Sequence, residues 1–539
     1  MISRKPSLEI EQHLKQIYGF YARGERIKAN KHLSQIYKKY PKNTNIIKTY
    51  VKFSAEDNDL EKAIQFANIL LLDEPENFGY VVNLAQWSMR IGKLKKAIAY
   101  YQEYIDLVGN NPNAYFNQGI LYRHNGEYNK AIHALEKASV HNYQPIVDVH
   151  LEMALTHEMF RHEDLAISSL KQLLKLSPNH LIAKFNLATL YQSAGRKEEA
   201  EIYFKEVLNQ DPTFTESLVR LAYLNKQKPE KPNVIRKMKR RIRSSQLKPK
   251  ELESLSYALG KAHDDVEDYE SAYNYYKEAN TLNLKRIGPY NSAKLDKYIA
   301  KTIAHVNKQW LEPEDDSKGF EPIFIIGHFR SGSTLVEQII SGHSNVESLG
   351  EIDFFLKYYN ENDIYSKNQK LAYKMLGTEY EALVSTMSKS SKRATDKRPE
   401  NILVMGLIKK LYPKAKFIHT KRNLDDNGLS VYFNQLNDLS TFSTSQESFL
   451  AYDKQCQELM EHWKLLFKED IYEVQYESLV ETPEEISKEI ITFLGLEWEQ
   501  DCIEFKERKN FVRTASADQV RHGIYSSSIG RCKNYHKYM

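Results

Sequence analysis

Pro322-Ile-Phe-Ile-Ile-Gly327 runs directly into His328-Phe-Arg-Ser-Gly-Ser-Thr334 and then into Leu335-Val-Glu-Gln-Ile-Ile340. The first run is short, apolar and isoleucine-rich, the pattern of a strand buried on both faces of a parallel sheet. The third reads as the start of a helix. A strand passing through a tight loop into a helix is the arrangement an oxyanion needs. Backbone N–H groups at the first helical turn point at the anion, and the helix dipole favours its charge. The stretch therefore predicts an α/β domain of three layers with a central parallel sheet, beginning near residue 321. Upstream, Glu312-Pro-Glu-Asp-Asp-Ser-Lys-Gly319 is polar and reads as a linker, so residues 291–320 are expected to hold a connecting helix and that linker.

Ahead of the linker the sequence is periodic. Ala29, Ala63, Ala97, Ala131, Ala166 and Ala200 are spaced by 34, 34, 34, 35 and 34 residues, and Ala272 follows 72 later, as if one repeat had lost its alanine. Twelve residues before five of these alanines stand Ala85, Gly119, Ala154, Ala188 and Gly260, and prolines recur at 41, 75, 112, 145, 178 and 212. Small side chains at fixed points let two antiparallel helices approach closely, and proline stops the second before the next pair begins. Segments such as Asn186-Leu-Ala-Thr-Leu-Tyr191 with Ala200-Glu-Ile-Tyr-Phe204 resemble tetratricopeptide repeats. Residues 1–290 are expected to form such an α-helical array of about seven to eight helix pairs. Arrays of this kind bind peptides, or serve as spacers or assembly surfaces, and the sequence does not choose among these. Where the alanine is missing, residues 231–250 hold nine Lys/Arg and no acid. That stretch is either the solvated face of a degenerate repeat or an anion-binding patch for an acidic partner.

Composition excludes more than it selects. Apolar residues at 41% and charged residues at 27% describe a folded chain, and 539 residues exceed one core. The 76 basic and 71 acidic residues leave a net charge of +5, no general argument for nucleic acid. Cys456, Cys502 and Cys532 form no CxxC pair, so neither a disulfide framework nor a zinc site is expected. Residues 1–19 carry Arg4, Lys5, Glu9, Glu11 and Lys15 and lack the apolar core of a secretory leader. No membrane-spanning run occurs, and a cytoplasmic setting is the expectation.

The loop Gly327-x-x-x-x-Gly332-Ser333-Thr334 has the spacing of a nucleoside triphosphate loop, but serine stands where that loop carries its lysine. Kinases and ATPases need that lysine, with magnesium beside it, for the β- and γ-phosphates. Here the cation is Arg330, within the loop. Arg330-Ser-Gly-Ser-Thr334 resembles the 5′-phosphosulfate loop of sulfotransferases that use 3′-phosphoadenosine 5′-phosphosulfate (PAPS).

Further motifs follow in the order of that family, most closely of its tyrosylprotein sulfotransferases. Phe417-Ile-His-Thr-Lys-Arg422 reads as a second buried strand, and Ser430 lies eight residues on, about two helical turns. The resemblance implies that Arg422 and Ser430 hold the donor's 3′-phosphate. A further arginine of that family's pattern is Asn434 here. Asn345-Val-Glu-Ser-Leu349 reads as another short strand, and Glu351 after it sits 17 residues past Thr334. Transfer to a hydroxyl needs a base, and a carboxylate at the acceptor oxygen suits it. His343 is the rival base, though it reads better as a structural histidine. Within Thr395-Asp-Lys-Arg-Pro-Glu-Asn401, Lys397 matches the lysine that polarises the donor's bridging oxygen. Tyr472-Glu-Val-Gln-Tyr-Glu477 alternates like a strand, and Tyr476 matches a donor-pocket tyrosine. Val512-Arg-Thr-Ala-Ser-Ala-Asp-Gln-Val-Arg-His-Gly-Ile-Tyr525 resembles the loop closing over the nucleotide. It puts Ser516 at the transition state and the backbone from Ala517 to Ser526 on the donor. Arg531 replaces a lysine of the family.

The resemblance covers residues 321–539 in order and implies in-line sulfuryl transfer from PAPS to an acceptor hydroxyl. Glu351, Arg330, Lys397 and Ser516 are the catalytic candidates. Arg330, Ser331, Gly332, Ser333, Thr334, Arg422, Ser430, Tyr476, Ala517, Tyr525 and Arg531 are the donor-binding ones. No metal is expected. The acceptor stays open among a peptide tyrosine, a glycan and a small alcohol, with the repeats as a module for a protein acceptor. Two alternatives stand beside this reading: a repeat scaffold with an inactive domain, and a phosphotransferase.

Overall fold

The computed structural model describes residues 5–228, 233–244, 247–312, 320–361, 364, 370–388, 393–504, 524 and 526–539. Among them, sixteen helices from Lys5–Ala22 to Tyr269–Ile287 follow one another as eight helix–turn–helix units. The seven periodic alanines are all fully buried. The small residues twelve positions earlier show why. A Cβ on Gly119 would stand 2.9 Å from the Leu135 side chain of the partner helix, and one on Gly260 would stand 2.7 Å from the Tyr276 ring. Prolines punctuate as expected, with Pro112 in the first turn of Pro112–His124 and Pro145 capping Ile146–Met159. Where the period calls for the missing alanine, 34 past Ala200, stands Val234, at the start of the helix Asn233–Arg243.

Contacts divide the chain into two compact units, Met1–Ala183 and Lys184–Met539. The first consists of repeats with their own aromatic and aliphatic cores, around Ile47, Phe53 and Leu70 and around Leu84, Tyr101 and Leu135. The second joins the last repeats to an α/β domain. Tyr257, Ala272, Tyr276 and Ala279 of the last helix pair share one core with Leu429, Phe433, Cys532 and Tyr535. Polar contacts accompany it: Asn280 Nδ2 donates to the Tyr432 carbonyl at 2.8 Å, and Gln435 Nε2 to Glu253 Oε1 at 2.7 Å. The connecting helix Ser292–His305 packs on the long helix Gln446–Phe467, where His462 reaches the Val306 carbonyl at 2.9 Å. Of the expected linker, 313–319 lie outside the described residues.

The α/β domain is built on a five-stranded parallel sheet: β1 (Ile323–Gly327), β2 (Val346–Ser348), β3 (Arg393–Lys397), β4 (Lys416–Lys421) and β5 (Ile471–Gln475), in the order β2-β3-β1-β4-β5. Every residue of β1 is buried. Phe324 and Ile326 pack on one face with Phe355, Met405 and Trp463, while Ile323 and Ile325 pack on the other with Ile339, Ile340 and Ile490. Burial on both faces is what a helix-covered parallel sheet requires, and it explains the unalternating apolar run. The fold is a helical repeat array followed by a three-layer α/β domain. No described helix is long and apolar enough to cross a membrane.

Candidate active site

The loop between β1 and the helix Ser333–Ile340 lies at the C-terminal end of the central strand, where ligands bind in open parallel sheets. Gly327 is opposite Thr420 in the register with β4, and a Cβ there would stand 2.4 Å from the Thr420 carbonyl oxygen. Gly332, at φ +97°, faces Tyr476, whose ring would meet a Cβ at 2.5 Å. Arg330 adopts φ +66°, a left-handed conformation uncommon for arginine. The loop is pinned from within and from both sides. Ser331 Oγ donates to the His328 carbonyl at 2.6 Å and shares a 2.6 Å hydrogen bond with the Thr420 hydroxyl. His328 Nε2 bonds Asp453 Oδ1 at 2.7 Å, and Asn427 Nδ2 donates to the Phe329 carbonyl at 2.8 Å. Fixing the loop in advance removes ordering cost when an anion arrives. Ser333 and Thr334 open the helix, both buried.

Two of the expected phosphate ligands converge here. Ser430, on the helix Leu424–Tyr432, accepts from Arg330 Nε at 3.3 Å. Arg422 donates from Nη1 to the Arg330 carbonyl at 3.0 Å and from Nη2 to the Ser528 carbonyl at 2.6 Å. Its guanidinium lies 5.0 Å from the Tyr476 ring centre, and its buried Nε has no partner among the described residues. Tyr476 follows β5 directly, opening a short helix, and shares a 2.7 Å hydroxyl–hydroxyl bond with Ser528. Asn434 instead donates to the Ser430 carbonyl of its own helix at 2.7 Å. Arg531 reaches Asp264 of the last repeat at 2.5 Å. Ser516, Ala517 and Tyr525 lie outside the described residues.

At β3 the structure brings Glu351 and Lys397 into one ion pair, with the lysine fully buried and the carboxylate 36% exposed. The backbone explains the meeting. Lys397 ends β3 and donates its N–H to the Gly350 carbonyl at 2.9 Å, which puts the next residue beside it. Gly350 N–H is in turn held by Glu337 Oε1 at 3.0 Å, and the same oxygen accepts from Ser348 and Thr395 hydroxyls at 2.8 and 3.1 Å. Beside Lys397, burial pushes the Asp396 carboxyl up to about 7 while Tyr380 donates to it at 3.1 Å. His343 is fully engaged elsewhere: Nε2 donates to the Glu497 carbonyl at 2.9 Å and Nδ1 accepts from Asn345 N–H at 3.0 Å. A proton acceptor needs a free lone pair, so this ring is structural.

Glu337 escaped the sequence reading. Its signal was there: one acid within Leu335-Val-Glu-Gln-Ile-Ile340, where a buried carboxylate must find donors. Tyr223 of a late repeat had no such signal. Burial raises its phenol to about 12, and the charge of nearby Arg330 opposes that rise.

Residues 322–500 match a model described as the sulfotransferase family. Residues 163–222 and 254–286 match tetratricopeptide repeat models, and 51–144 match the TT21 fifth ARM repeats domain. An uncharacterized protein of Aquifex aeolicus (strain VF5) is 30% identical over 388 residues, which cover 67% of this chain and 50% of that protein. The chain thus spans about half the length of this curated relative. Among solved structures, MamA is 23% identical and covers 32% of this chain and 94% of its own, with a TM-score of 0.29. A tetratricopeptide repeat protein from Parabacteroides merdae ATCC 43184 is 18% identical, covering 47% and 98%, with a TM-score of 0.35. The chain carries a sulfotransferase-family domain at its C-terminal end, preceded by tetratricopeptide repeats.

Proposed function

We propose that the chain transfers a sulfuryl group from PAPS to an acceptor hydroxyl, with residues 321–539 as the catalytic domain and residues 1–290 as a protein-binding module. The acceptor favoured by the resemblance to tyrosylprotein sulfotransferases is a tyrosine of a bound polypeptide, in a cytoplasmic setting. The observation that carries the reading is the ion pair of Glu351 with buried Lys397, which stands opposite Ile325 of β1, two residues before Gly327 at the start of the loop. The residues present suit such a donor. Gly327 and Gly332 let Thr420 and Tyr476 close against the loop, and the buried Arg422 Nε is a donor without a partner among the described residues.

When bound, the donor supplies the sulfuryl group and a phosphate leaving group. The chain's own residues do the rest. The loop amides, Ser333 and Thr334 hold the phosphosulfate, and Arg422 with Ser430 holds the 3′-phosphate. Tyr476, Ala517, Tyr525 and Arg531 complete the donor pocket. Glu351, paired with Lys397, takes the acceptor's proton. Arg330, Lys397 and Ser516 offset negative charge where it builds.

Calorimetric titration with 3′-phosphoadenosine 5′-phosphate (PAP), run beside ATP, tests the reading. Binding of PAP in preference to ATP, with transfer of labelled sulfate to peptide pools, is expected. Preference for ATP identifies a phosphotransferase. PAP binding with no transfer to any hydroxyl pool identifies an inactive scaffold.

A further inference from the structure

We propose that Asp264, in the last repeat, is a positioning residue for the donor site. It anchors the C-terminal segment 526–535 against which Arg422 and Tyr476 are set. The proposal rests on the donor reading above and adds to it a member of the repeat array.

The segment is tied down on two sides. Toward the α/β domain, the Ser528 carbonyl accepts from Arg422 at 2.6 Å, and its hydroxyl meets Tyr476 at 2.7 Å. Asp426 receives two N–H groups, from Gly530 at 2.5 Å and Cys532 at 2.8 Å. Toward the repeats, Asp264 receives Arg531 Nη2 at 2.5 Å on one oxygen and the Tyr535 hydroxyl on the other. Tyr535 is fully buried, edge-on to Phe433 at 4.7 Å and to Tyr269 at 5.3 Å. The Arg531 guanidinium lies 5.4 Å from the Phe433 ring centre. One carboxylate thus fixes both ends of a five-residue turn.

The place of that carboxylate is informative. Asp264 is the penultimate residue of Pro249–Asp265, where the helix dipole disfavours negative charge. A carboxylate there costs the repeat stability unless something outside the helix compensates it. The compensation comes from Arg531 and Tyr535 of the C-terminal segment. From there the path to the loop is short: Arg422, held by Ser528, donates to the Arg330 carbonyl at 3.0 Å. A bistable or loosened segment would therefore free Arg422 and widen the donor pocket without touching Glu351.

The test uses the full chain with PAP as probe. Asp264→Asn keeps the shape and removes the charge. It should raise the PAP dissociation constant about tenfold, a usual size for coupling between sites. Turnover at saturating donor should stay within about twofold, because the groups that act in chemistry are intact. Asp264→Glu should recover most of the affinity. If the effect passes through Arg531, Asp264→Asn combined with Arg531→Met should bind no more weakly than Arg531→Met alone. Unchanged PAP affinity in Asp264→Asn, or additive losses in the pair, overturns the proposal. Should Asp264→Asn fold poorly, Tyr535→Phe removes one hydrogen bond and keeps the ring. It should weaken PAP about threefold, the scale of one modest hydrogen bond, and no change there is equally fatal. A parent chain that fails to bind PAP sinks the donor reading and this proposal together. A parent that binds while every variant matches it sinks this proposal alone.

Discussion

Gly119 and Gly260 fill the same slot in two repeats, twelve residues ahead of Ala131 and Ala272, yet their neighbours differ. Gly119 makes room for Leu135, part of a core that belongs wholly to the first repeats. Gly260 makes room for Tyr276, whose ring also stacks on Phe433 of the α/β domain at 3.9 Å and 11°. Tyr269, Tyr273 and Tyr276 stand along one face of that last helix, against Tyr432, Phe433, Tyr535 and Tyr538. The same rule of close helix approach serves two ends. In the early repeats it closes a self-sufficient solenoid core. In the last pair it seats an aromatic face that belongs equally to the α/β domain.

The largest effect that tests this contrast is deletion. Removing residues 1–179 should leave the PAP dissociation constant within about threefold of the parent, since the proposed donor contacts all lie downstream. Removing residues 1–290 takes away Asp264 and Tyr276 and exposes Phe433 and Tyr535. That chain should lose PAP binding or fail to fold, as read by calorimetry and circular dichroism. A soluble 291–539 domain with parental affinity would break the comparison outright.

Next in size is the chemistry itself, which lies beyond the repeat contact. Glu351→Gln should cut turnover by about 10²–10⁴-fold, the usual contribution of a positioned base, with PAP affinity unchanged. Arg330→Ala should lower both, because that side chain sits in the loop proposed to hold the donor. Steady-state kinetics with labelled donor reads the difference. Turnover of Glu351→Gln within a few-fold of the parent would place the base elsewhere.

Smaller changes compare the two glycines directly. Forcing a methyl into either slot overpacks it, costing about 1–3 kcal/mol, of which better helix propensity returns about 1 kcal/mol. Gly119→Ala should therefore destabilise the repeats with PAP affinity intact. Gly260→Ala pushes the Tyr276 ring toward Phe433 and should weaken PAP as well. Thermal unfolding beside calorimetry separates the two outcomes, and equal PAP affinity in both variants would dissolve the distinction.

The remaining effect is a pH slope in the α/β domain. Burial lifts the folded Asp396 carboxyl to about 7 from an ordinary value near 4, so the folded state holds that proton more tightly. Its stabilising contribution is complete below about pH 4 and is lost as pH rises toward 7, by at most about 1.4 kcal/mol per pH unit. Asp396→Asn should flatten this part of the stability profile in denaturant titrations from pH 4 to 8. An unchanged slope would remove Asp396 as its source.

The sequence by itself settled what depends on local rules. A 34-residue recurrence of alanine can be satisfied only by repeated helix pairs, and Ile323-Phe-Ile-Ile-Gly327 before Arg330-Ser-Gly-Ser-Thr334 names its strand, loop and helix through burial and backbone geometry alone. Glu351 and Lys397, 46 residues apart, were each legible as motifs, but their meeting was not. It depends on the β2–β3 pairing, on the Gly350–Lys397 backbone bond and on Glu337 beneath them. Likewise the tyrosines of the last repeat read as ordinary residues of an amphipathic helix. Which of them would meet Phe433 and Tyr535, and why an aspartate should sit at the wrong end of its helix, are long-range matters. Side chains 150 to 270 positions apart carry no mutual pattern in the chain, and packing between the last repeat and the α/β domain is what decided them.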